Sequence, residues 1–189
     1  MKNKNKLLVC TFSGGRTSAF MGKFLKEHLK YKDFEKVFIF ANTGKELPET
    51  LDFINKCDKE WNLNIVWLEA SVQDEKGVGT TFKIVDYDTA SRIGKPFEDM
   101  LNKYPLPNNM ASNCTRELKQ RPIDKFVKYY ANEILVNDWI NQKNQTKGLS
   151  EYKQENTYEI YTAMGIRWDE RHRESNTAKE QNIIYPLIY

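Results

Sequence analysis

The sequence predicts an α/β fold built on a mostly parallel sheet. Short apolar runs of strand length recur along the chain, and segments with helical spacing separate them. The predicted strands are KLLVCTF (6–12), KVFIFAN (36–42) and NIVWLEA (64–70). Strands separated by helices of roughly 10 to 15 residues are typical of βαβ units. Because these strands are apolar along most of their length, we expect a sheet that is covered on both faces.

The first two predicted helices each follow one of these strands. One covers residues 18–30 (SAFMGKFLKEHLK) and the other covers residues 47–61 (LPETLDFINKCDKEW). Pro48 and Glu49 open the second helix, and first helical turns favour both proline and acidic residues.

Beyond the third strand the pattern is less regular. Residues 71–95 contain several glycines and are predicted to form a loop. We predict helices at 96–104 and 116–134, the second of them interrupted at Pro122, and a further strand at 158–166.

The composition is that of a soluble globular protein. Its 189 residues, 40% hydrophobic and 29% charged, predict a single domain over residues 1–189 with a polar insert near 137–156. No apolar run reaches the roughly 20 residues of a membrane span, and the N-terminus lacks an apolar signal segment. We therefore expect a cytoplasmic protein with no membrane partner. A net charge of +3 gives only weak support to a nucleic-acid partner.

The sequence lacks the usual patterns of metal ligands. Cys10, Cys57 and Cys114 lie far apart without a C-x-x-C pair, and the chain has two histidines. Zinc sites and iron–sulfur clusters need closer or more numerous ligands. We therefore expect neither zinc nor an iron–sulfur cluster.

The turn between the first strand and the first helix is a candidate phosphate site. It reads TFSGGRTSAF (11–20), which fits neither the Walker loop nor the dinucleotide fingerprint. Gly14 and Gly15 allow a positive φ and a close approach of the backbone to an anion, and the N-terminus of the helix supplies N–H groups. The hydroxyls and the positive charge that lie within reach belong to Ser13, Thr17, Ser18 and Arg16. The alternative is a tight strand–helix turn with a serine cap.

Several motifs resemble one family in chain order. SGGRTS (13–18) resembles the PP-loop of the adenine nucleotide alpha hydrolase superfamily. FANTGKELPETLDFI (40–54) resembles the D/N-T-G-x-x-x-P-E-T segment of the phosphoadenosine phosphosulfate (PAPS) reductase family. Further matches are TASRIGKPFE, NCTRELKQRPIDKF, GIRWDERHR and YPL. The combination is similar to the PAPS reductase-like proteins of phage and mobile-element genomes.

The resemblance implies a Rossmann-like three-layer fold with a nucleotide, ATP or PAPS, at the carboxyl ends of the strands. It implies that the loop after the second strand lies beside the PP-loop at a topological switch point. Asn42, Thr43 and Gly44 would then lie near the adenosine or the α-phosphate, with Glu46 and Glu49 further out. It also makes Arg92, in a glycine-containing loop before a helix, a candidate nucleotide-binding residue.

Basic residues follow in two later motifs. Arg116 and Lys119 are three residues apart, so α-helical spacing predicts one shared face that could clamp phosphate or sulfate, or lie in solvent. Arg167 and Arg173 match the family pattern, and the resemblance implies that they bind the anionic end of the nucleotide. Arg171 matches no fixed family position, and we expect it at the surface.

Cys114 is the candidate reactive thiol. It precedes a predicted helix and has basic neighbours, features that favour a reactive cysteine. A structural role is the alternative, and we expect Cys10 and Cys57 to be inert.

Departures from the family pattern limit which of the family's reactions we expect of this chain. The C-terminal E-C-G-x-H segment of assimilatory PAPS reductases is absent, and Thr17 stands where ATP pyrophosphatases usually have aspartate. The family domain usually continues past YPL (185–187), so the resemblance implies a short version or a truncated C-terminus. An exposed last strand would leave an unpaired edge that a homodimer could cover.

Three functions stay open at this point. The first is action at the α-phosphate of ATP, either as a pyrophosphatase or by adenylyl transfer to a substrate that a sulfur or nitrogen nucleophile then attacks, with Mg²⁺ as a candidate companion ion. The second is thiol-dependent sulfonucleotide reduction through Cys114. The third is a non-catalytic nucleotide-binding module in nucleic-acid modification or phage defence.

Overall fold

A six-stranded sheet forms the centre of the molecule. The structure, a computed structural model, describes residues 5–73, 75, 77–106, 113–143 and 158–188. Its strands are β1 (Asn5–Thr11), β2 (Phe34–Asn42), β3 (Val66–Ser71), β4 (Thr81–Val85), β5 (Tyr158–Ala163) and β6 (Ile183–Ile184). Their order in the sheet is β4-β3-β2-β1-β5-β6, and every neighbouring pair is parallel except β3 and β4. The predicted α/β fold with a mostly parallel sheet is confirmed.

The prediction of a loop throughout residues 71–95 is wrong at β4. This strand pairs antiparallel with β3, so that Val85 lies opposite Trp67 and Thr81 lies opposite Ser71. Burial does not alternate along β4: Val85 is the one buried residue of the strand, and residues such as Lys83 are exposed. An edge strand of this kind carries little hydrophobic pattern, although Phe82 packs against Phe126 of α5 and Val85 packs in the core on the other face.

The helices cover both faces of the sheet. They are α1 (Arg16–Glu27), α2 (Pro48–Trp61), α3 (Lys95–Lys103), α4 (Asn113–Thr115) and α5 (Arg121–Lys143). Leu8 and Cys10 of β1 pack with α1 and α2 on one face, whereas Leu7 and Val9 pack with α5 on the other. This alternation is that of a strand buried on both sides, and it produces the three layers of a Rossmann-like fold.

A π-helical segment, Arg116–Gln120, joins α4 to α5. The backbone N–H of Arg121 donates to the carbonyl of Arg116, and Pro122 lies in the first turn of α5. Because proline has no N–H to donate, the regular α-helical ladder cannot run unchanged through this position. The predicted interruption at Pro122 is therefore a change of helical pattern just before the proline.

The predicted polar insert near 137–156 begins within α5, which continues to Lys143. The rest of the predicted insert, from residue 144 on, lies outside the described residues. Within the described ranges, the structure contains no helix with the length and apolar character needed to cross a membrane.

We expect the sheet–helix interface to dominate the stability of the fold. Leu8 is fully buried, and Leu8→Ala should lower the free energy of unfolding by about 2–5 kcal/mol, because it leaves a cavity beneath α1 and α2. Leu29 is 79% exposed, so Leu29→Ala should change the same quantity by less than about 0.5 kcal/mol. Urea unfolding followed by circular dichroism measures both, and equal losses would contradict this account of the core.

Candidate functional site

The loops at the carboxyl ends of the parallel strands form the candidate site. β1 pairs with β2 on one side and with β5 on the other, so the strand order reverses between β1 and β5. In open α/β sheets ligands bind at such a switch point. The turn after β1 and the loop after β5 meet there, since a Cβ built on Gly165 would lie 3.8 Å from Cγ2 of Thr17. The loop after β2 borders the turn on its other side.

The PP-loop turn (residues 13–18) requires glycine at position 14. Gly14 has φ of +80°, and a Cβ there would lie 2.5 Å from Cγ2 of Thr50 on α2. The Ser18 hydroxyl braces the turn: it accepts hydrogen bonds from the backbone N–H and the hydroxyl of Ser13, at 3.2 and 3.1 Å, and donates to the carbonyl of Gly15 at 2.8 Å. Ser18 therefore shapes the turn from within.

The N-terminus of α1 carries no side-chain cap. Gly15 is the N-cap residue and, as glycine, has no side chain that could cap the first turn. The first backbone bond of the helix runs from Ala19 to Gly15, at 3.1 Å. The N–H groups before Ala19 have no partner within the helix and carry the positive end of its dipole. This arrangement is suited to binding an anion.

Arg16 and Thr17 leave the turn in different directions. Thr17 is half-buried beside Gly165, facing the switch point. Arg16 is exposed. Together with Phe20 and Lys23 it lines a cavity of about 540 Å³ between α1 and α2. Arg16 therefore lies on the outer face of α1.

A cavity of about 570 Å³ opens at the switch point, between the sheet and the start of α5. Ser13 lies in its wall, as do Lys119 and Lys128. Its apolar lining includes Val9, Ile39, Ile123, Val127 and Ile160. The volume and the mixture of an apolar lining with a few polar groups are typical of small-molecule sites.

The loop after β2 has its own internal hydrogen bonds. The Asn42 amide is fully buried; it donates to Oε1 of Glu69 at 2.7 Å and to the carbonyl of Ser91 at 2.9 Å, and it accepts from the N–H of Gly44 at 3.1 Å. Thr43 donates its N–H and its hydroxyl to the Glu46 carboxylate, at 3.0 and 2.9 Å. Because these N–H groups are already used, the loop is better suited to accept hydrogen bonds through its carbonyls than to bind phosphate.

Two glycines join this loop to the 91–94 loop. A Cβ on Gly44 would lie 3.0 Å from Cα of Gly94, so the two backbones touch. Arg92 lies in the second loop and donates to the carbonyls of Ala90 and Tyr87, at 3.1 and 2.9 Å. Its guanidinium also lies 4.9 Å from the centre of the Tyr87 ring. Arg92 thus braces its own loop.

The structure separates Arg116 from Lys119. Arg116 donates to Oε1 of Glu117 at 2.8 Å and to Oδ1 of Asn113 at 2.9 Å, whereas Lys119 lies in the wall of the 570 Å³ cavity. The shared face was predicted from α-helical spacing, but both residues belong to the π-helical segment, which closes its hydrogen bonds over five residues. Of this pair, Lys119 is the residue at the cavity.

Glu117 is a buried residue that the motifs did not single out. Its carboxylate accepts from the Thr80 hydroxyl at 2.6 Å, from Arg116 at 2.8 Å and from Arg121 at 2.9 Å. Burial by itself would raise the pKa of Glu117, but the hydrogen bonds from Thr80, Arg116 and Tyr104 and the charge of Arg121 together lower the pKa below its usual 4.5. Nothing in the sequence beyond its place between basic residues signalled this role.

None of the three cysteines, all of which are described, lines the 570 Å³ cavity. Cys114 is half-buried and packs against a small apolar cluster around Met100 and Leu118. Cys10 and Cys57 are buried, and burial raises the pKa of both thiols, that of Cys10 to about 12. The raised values agree with the expectation that Cys10 and Cys57 are inert.

The basic residues after β5 pair with local acids. They lie at a short 3-10 helix, Trp168–Arg173, which follows the strand. Arg167 donates to Asp169 at 2.8 Å, and Arg173 donates to Glu170 at 3.0 Å. Both arginines are exposed and keep further donors, since each guanidinium has five N–H groups. Arg171 is exposed, as expected, and stacks on the Trp168 ring at 4.6 Å.

Among the described residues, no group of three or more histidine, cysteine, aspartate or glutamate side chains is arranged to hold a metal ion.

These features define a class of protein. A Rossmann-like sheet carries a glycine turn, an uncapped helix N-terminus and a cavity at its switch point, as in the PP-loop proteins related to adenine nucleotides. The model of the phosphoadenosine phosphosulfate reductase domain matches residues 7–182. The chain therefore belongs to the PAPS reductase domain family.

Two curated relatives support the match. The "Uncharacterized nin region protein ORF290" of Escherichia phage lambda is 33% identical over 121 residues, which cover 62% of this chain and 41% of the phage protein. The "Uncharacterized protein MJ0973" of Methanocaldococcus jannaschii is 29% identical over 129 residues, covering 68% of this chain and 25% of the archaeal protein. The chain thus spans less than half the length of either relative. No solved structure matches it.

We expect Glu117 to make stability depend on pH. Because its pKa in the folded protein is below 4.5, the ionised carboxylate stabilises the fold above the unfolded-state pKa, and this contribution is lost as the pH falls through the folded-state pKa. Glu117→Gln should therefore lower the free energy of unfolding by about 2 kcal/mol at pH 7, with a smaller difference from wild type below pH 4.5. Urea unfolding at several pH values measures this difference.

The exposed Glu180 provides the control for this experiment. Glu180→Gln should leave the free energy of unfolding within about 0.5 kcal/mol of wild type at each pH. A loss for Glu117→Gln that stayed constant from neutral to acidic pH would contradict the role of the ionised carboxylate.

Proposed function

We propose that this chain binds an adenine nucleotide at the PP-loop turn and acts at the α-phosphate of ATP, by pyrophosphate release or adenylyl transfer. The observation that carries the proposal is the uncapped N-terminus of α1, which follows Gly14 and Gly15 in the same turn as Ser13, a residue in the wall of the 570 Å³ cavity. Family membership supports an adenine nucleotide as the anion that binds there.

The hydrogen-bond donors and acceptors at the carboxyl ends of the strands lie in two different loops. The N–H groups at the start of α1 suit the phosphates, and Thr17 adds a hydroxyl in the same first turn. The loop after β2 uses its N–H groups internally and so offers carbonyl oxygens, which suit the hydroxyl or amino groups of an adenosine. Together the two loops favour a nucleotide over inorganic phosphate.

The proposed reaction breaks one bond at the α-phosphorus. A nucleophilic oxygen of the acceptor, or of water in the pyrophosphatase reaction, attacks it, the bond to the α,β-bridging oxygen breaks, and pyrophosphate leaves with the bonding electrons. In adenylyl transfer, a sulfur or nitrogen nucleophile then attacks the adenylylated acceptor and AMP leaves. Backbone N–H groups of α1 and the ammonium of Lys119 would stabilise the negative charge on the phosphate oxygens. Mg²⁺ would be held mainly by the phosphate oxygens of the nucleotide, because Thr17 offers a hydroxyl in place of a carboxylate.

Thiol-dependent reduction of PAPS finds less support. It needs a cysteine at the reacting sulfur, whereas Cys114 packs against Met100 and Leu118 and lies outside the cavity wall. A non-catalytic nucleotide-binding module predicts the same binding without turnover. Homodimerisation, a nucleic-acid partner and the acceptor stay predictions from the sequence.

Gly15→Asp tests the binding site. A Cβ at position 15 would meet only the Ser13 hydroxyl, at 3.6 Å, and aspartate is a favourable N-cap, so the variant should fold with at least wild-type stability. Its carboxylate would occupy the place of the phosphate and repel it. We expect ATP binding, measured by titration calorimetry with and without Mg²⁺, to fall by more than about tenfold.

Gly15→Ser is the matched control, because serine caps the helix without adding charge. It should bind ATP more tightly than Gly15→Asp by at least about tenfold. If both variants bind ATP as wild type does, the nucleotide does not lie at this turn and the proposal fails.

Cys114→Ala separates the two catalytic hypotheses. If the chain acts at the α-phosphate, pyrophosphate release from ATP should change by less than about twofold, because the thiol lies outside the cavity wall. Pyrophosphate release and thiol-dependent sulfite release from PAPS are measured in parallel for both proteins. Sulfite release that disappears in Cys114→Ala would establish the reductase instead, and ATP binding without turnover would indicate the non-catalytic module.

A further inference from the structure

Glu69, at the end of β3, is a buried carboxylate outside the sequence motifs. Its side chain is 6% exposed, and its Oε1 accepts two hydrogen bonds, from Nδ2 of Asn42 at 2.7 Å and from the N–H of Ser91 at 2.6 Å. Its Oε2 lies 3.9 Å from Nζ of Lys83, a side chain that is 64% exposed. A buried carboxylate that binds two separate segments is costly to leave without its donors.

The contact between Glu69 and residue 42 favours an amide at position 42. Nδ2 of Asn42 donates both to Glu69 and to the carbonyl of Ser91. An aspartate there would place a carboxylate oxygen against Oε1 of Glu69, and two carboxylates so close together cannot both be ionised. Asparagine at this position therefore suits the contact with Glu69 better than aspartate would.

The same contacts link two loops at the edge of the site. Oδ1 of Asn42 accepts from the N–H of Gly44 at 3.1 Å, and Gly44 touches the backbone of Gly94. Ser91, held by Glu69 and Asn42, precedes Gly94 in the second loop. One carboxylate therefore controls the relative position of the loop after β2 and the 91–94 loop.

We propose that Glu69 is a positioning residue of the nucleotide site: it orients Asn42 and Ser91, and through them holds both loops where the adenosine part of the nucleotide binds. This inference rests on the proposed function, because it states that the position of the two loops affects nucleotide binding. Glu69 itself need not touch the ligand.

The test compares Glu69→Leu with Glu69→Gln. Leucine removes the acceptor, whereas glutamine keeps an oxygen that can accept both hydrogen bonds. We expect Glu69→Leu to weaken ATP binding about tenfold or more and to accelerate amide hydrogen exchange at Gly44, and Glu69→Gln to stay within about threefold of wild type. Lys83→Gln removes only the exposed charge and should change neither quantity.

A second pair of variants keeps the test valid if Glu69→Leu does not fold. Asn42→Asp should weaken ATP binding by repulsion from Glu69, and adding Glu69→Gln to it should recover part of the loss, because an amide again faces a carboxylate. General destabilisation would not produce this recovery.

The outcomes separate the two proposals. If wild type does not bind ATP, the proposed function fails, and unchanged Gly44 exchange in Glu69→Leu would also overturn the positioning role. If wild type binds ATP and both Glu69→Leu and Asn42→Asp bind it equally well, the positioning role alone is overturned. Weaker binding in both variants, with recovery in the double variant, supports it.

Discussion

The central position of β1 is the constraint on which the rest of the structure depends. This strand pairs in parallel with β2 and β5, and its side chains alternate between two buried faces. Because β1 lies between neighbours whose connections run in opposite directions, its carboxyl end falls at the switch point of the sheet. Ser13, in the turn that follows, lies in the wall of the cavity, and α1 begins in the same turn.

Close backbone contacts hold the loops at the carboxyl ends of the strands in place. Gly14 allows the turn to approach Thr50 on α2, and Gly44 allows the loop after β2 to touch Gly94. A side chain at either position would push the loops apart. Buried carboxylates complete the arrangement, because Glu69 and Glu117 each bind donors from separate segments. The candidate site thus depends on residues that need not contact a ligand.

The charged residues of the site differ in what they can do. Lys119 lies in the cavity wall, whereas Arg92 and Arg116 donate to neighbouring groups of the protein and Arg16 lies on the outer face of α1. Arg167 and Arg173 pair with acids in their own short helix. Lys119 and Lys128 are therefore the cations in the cavity wall, whereas the hydrogen bonds of these arginines go mainly to their own loops and helices.

Apolar periodicity and glycine turns are local features of the chain, so the sequence alone predicted β1, β2, β3 and β5, the main helices and the turn between β1 and α1, and its motifs indicated the family. Local pattern could not reveal β4, which is held by pairing with β3, or the π-helical segment that separates Arg116 from Lys119. Nor could it reveal Glu69 and Glu117, since their partners lie 27 and 37 residues away in the chain, at Asn42 and Thr80. These features depend on the folded chain, because burial and hydrogen bonding between distant segments exist only once the sheet has formed.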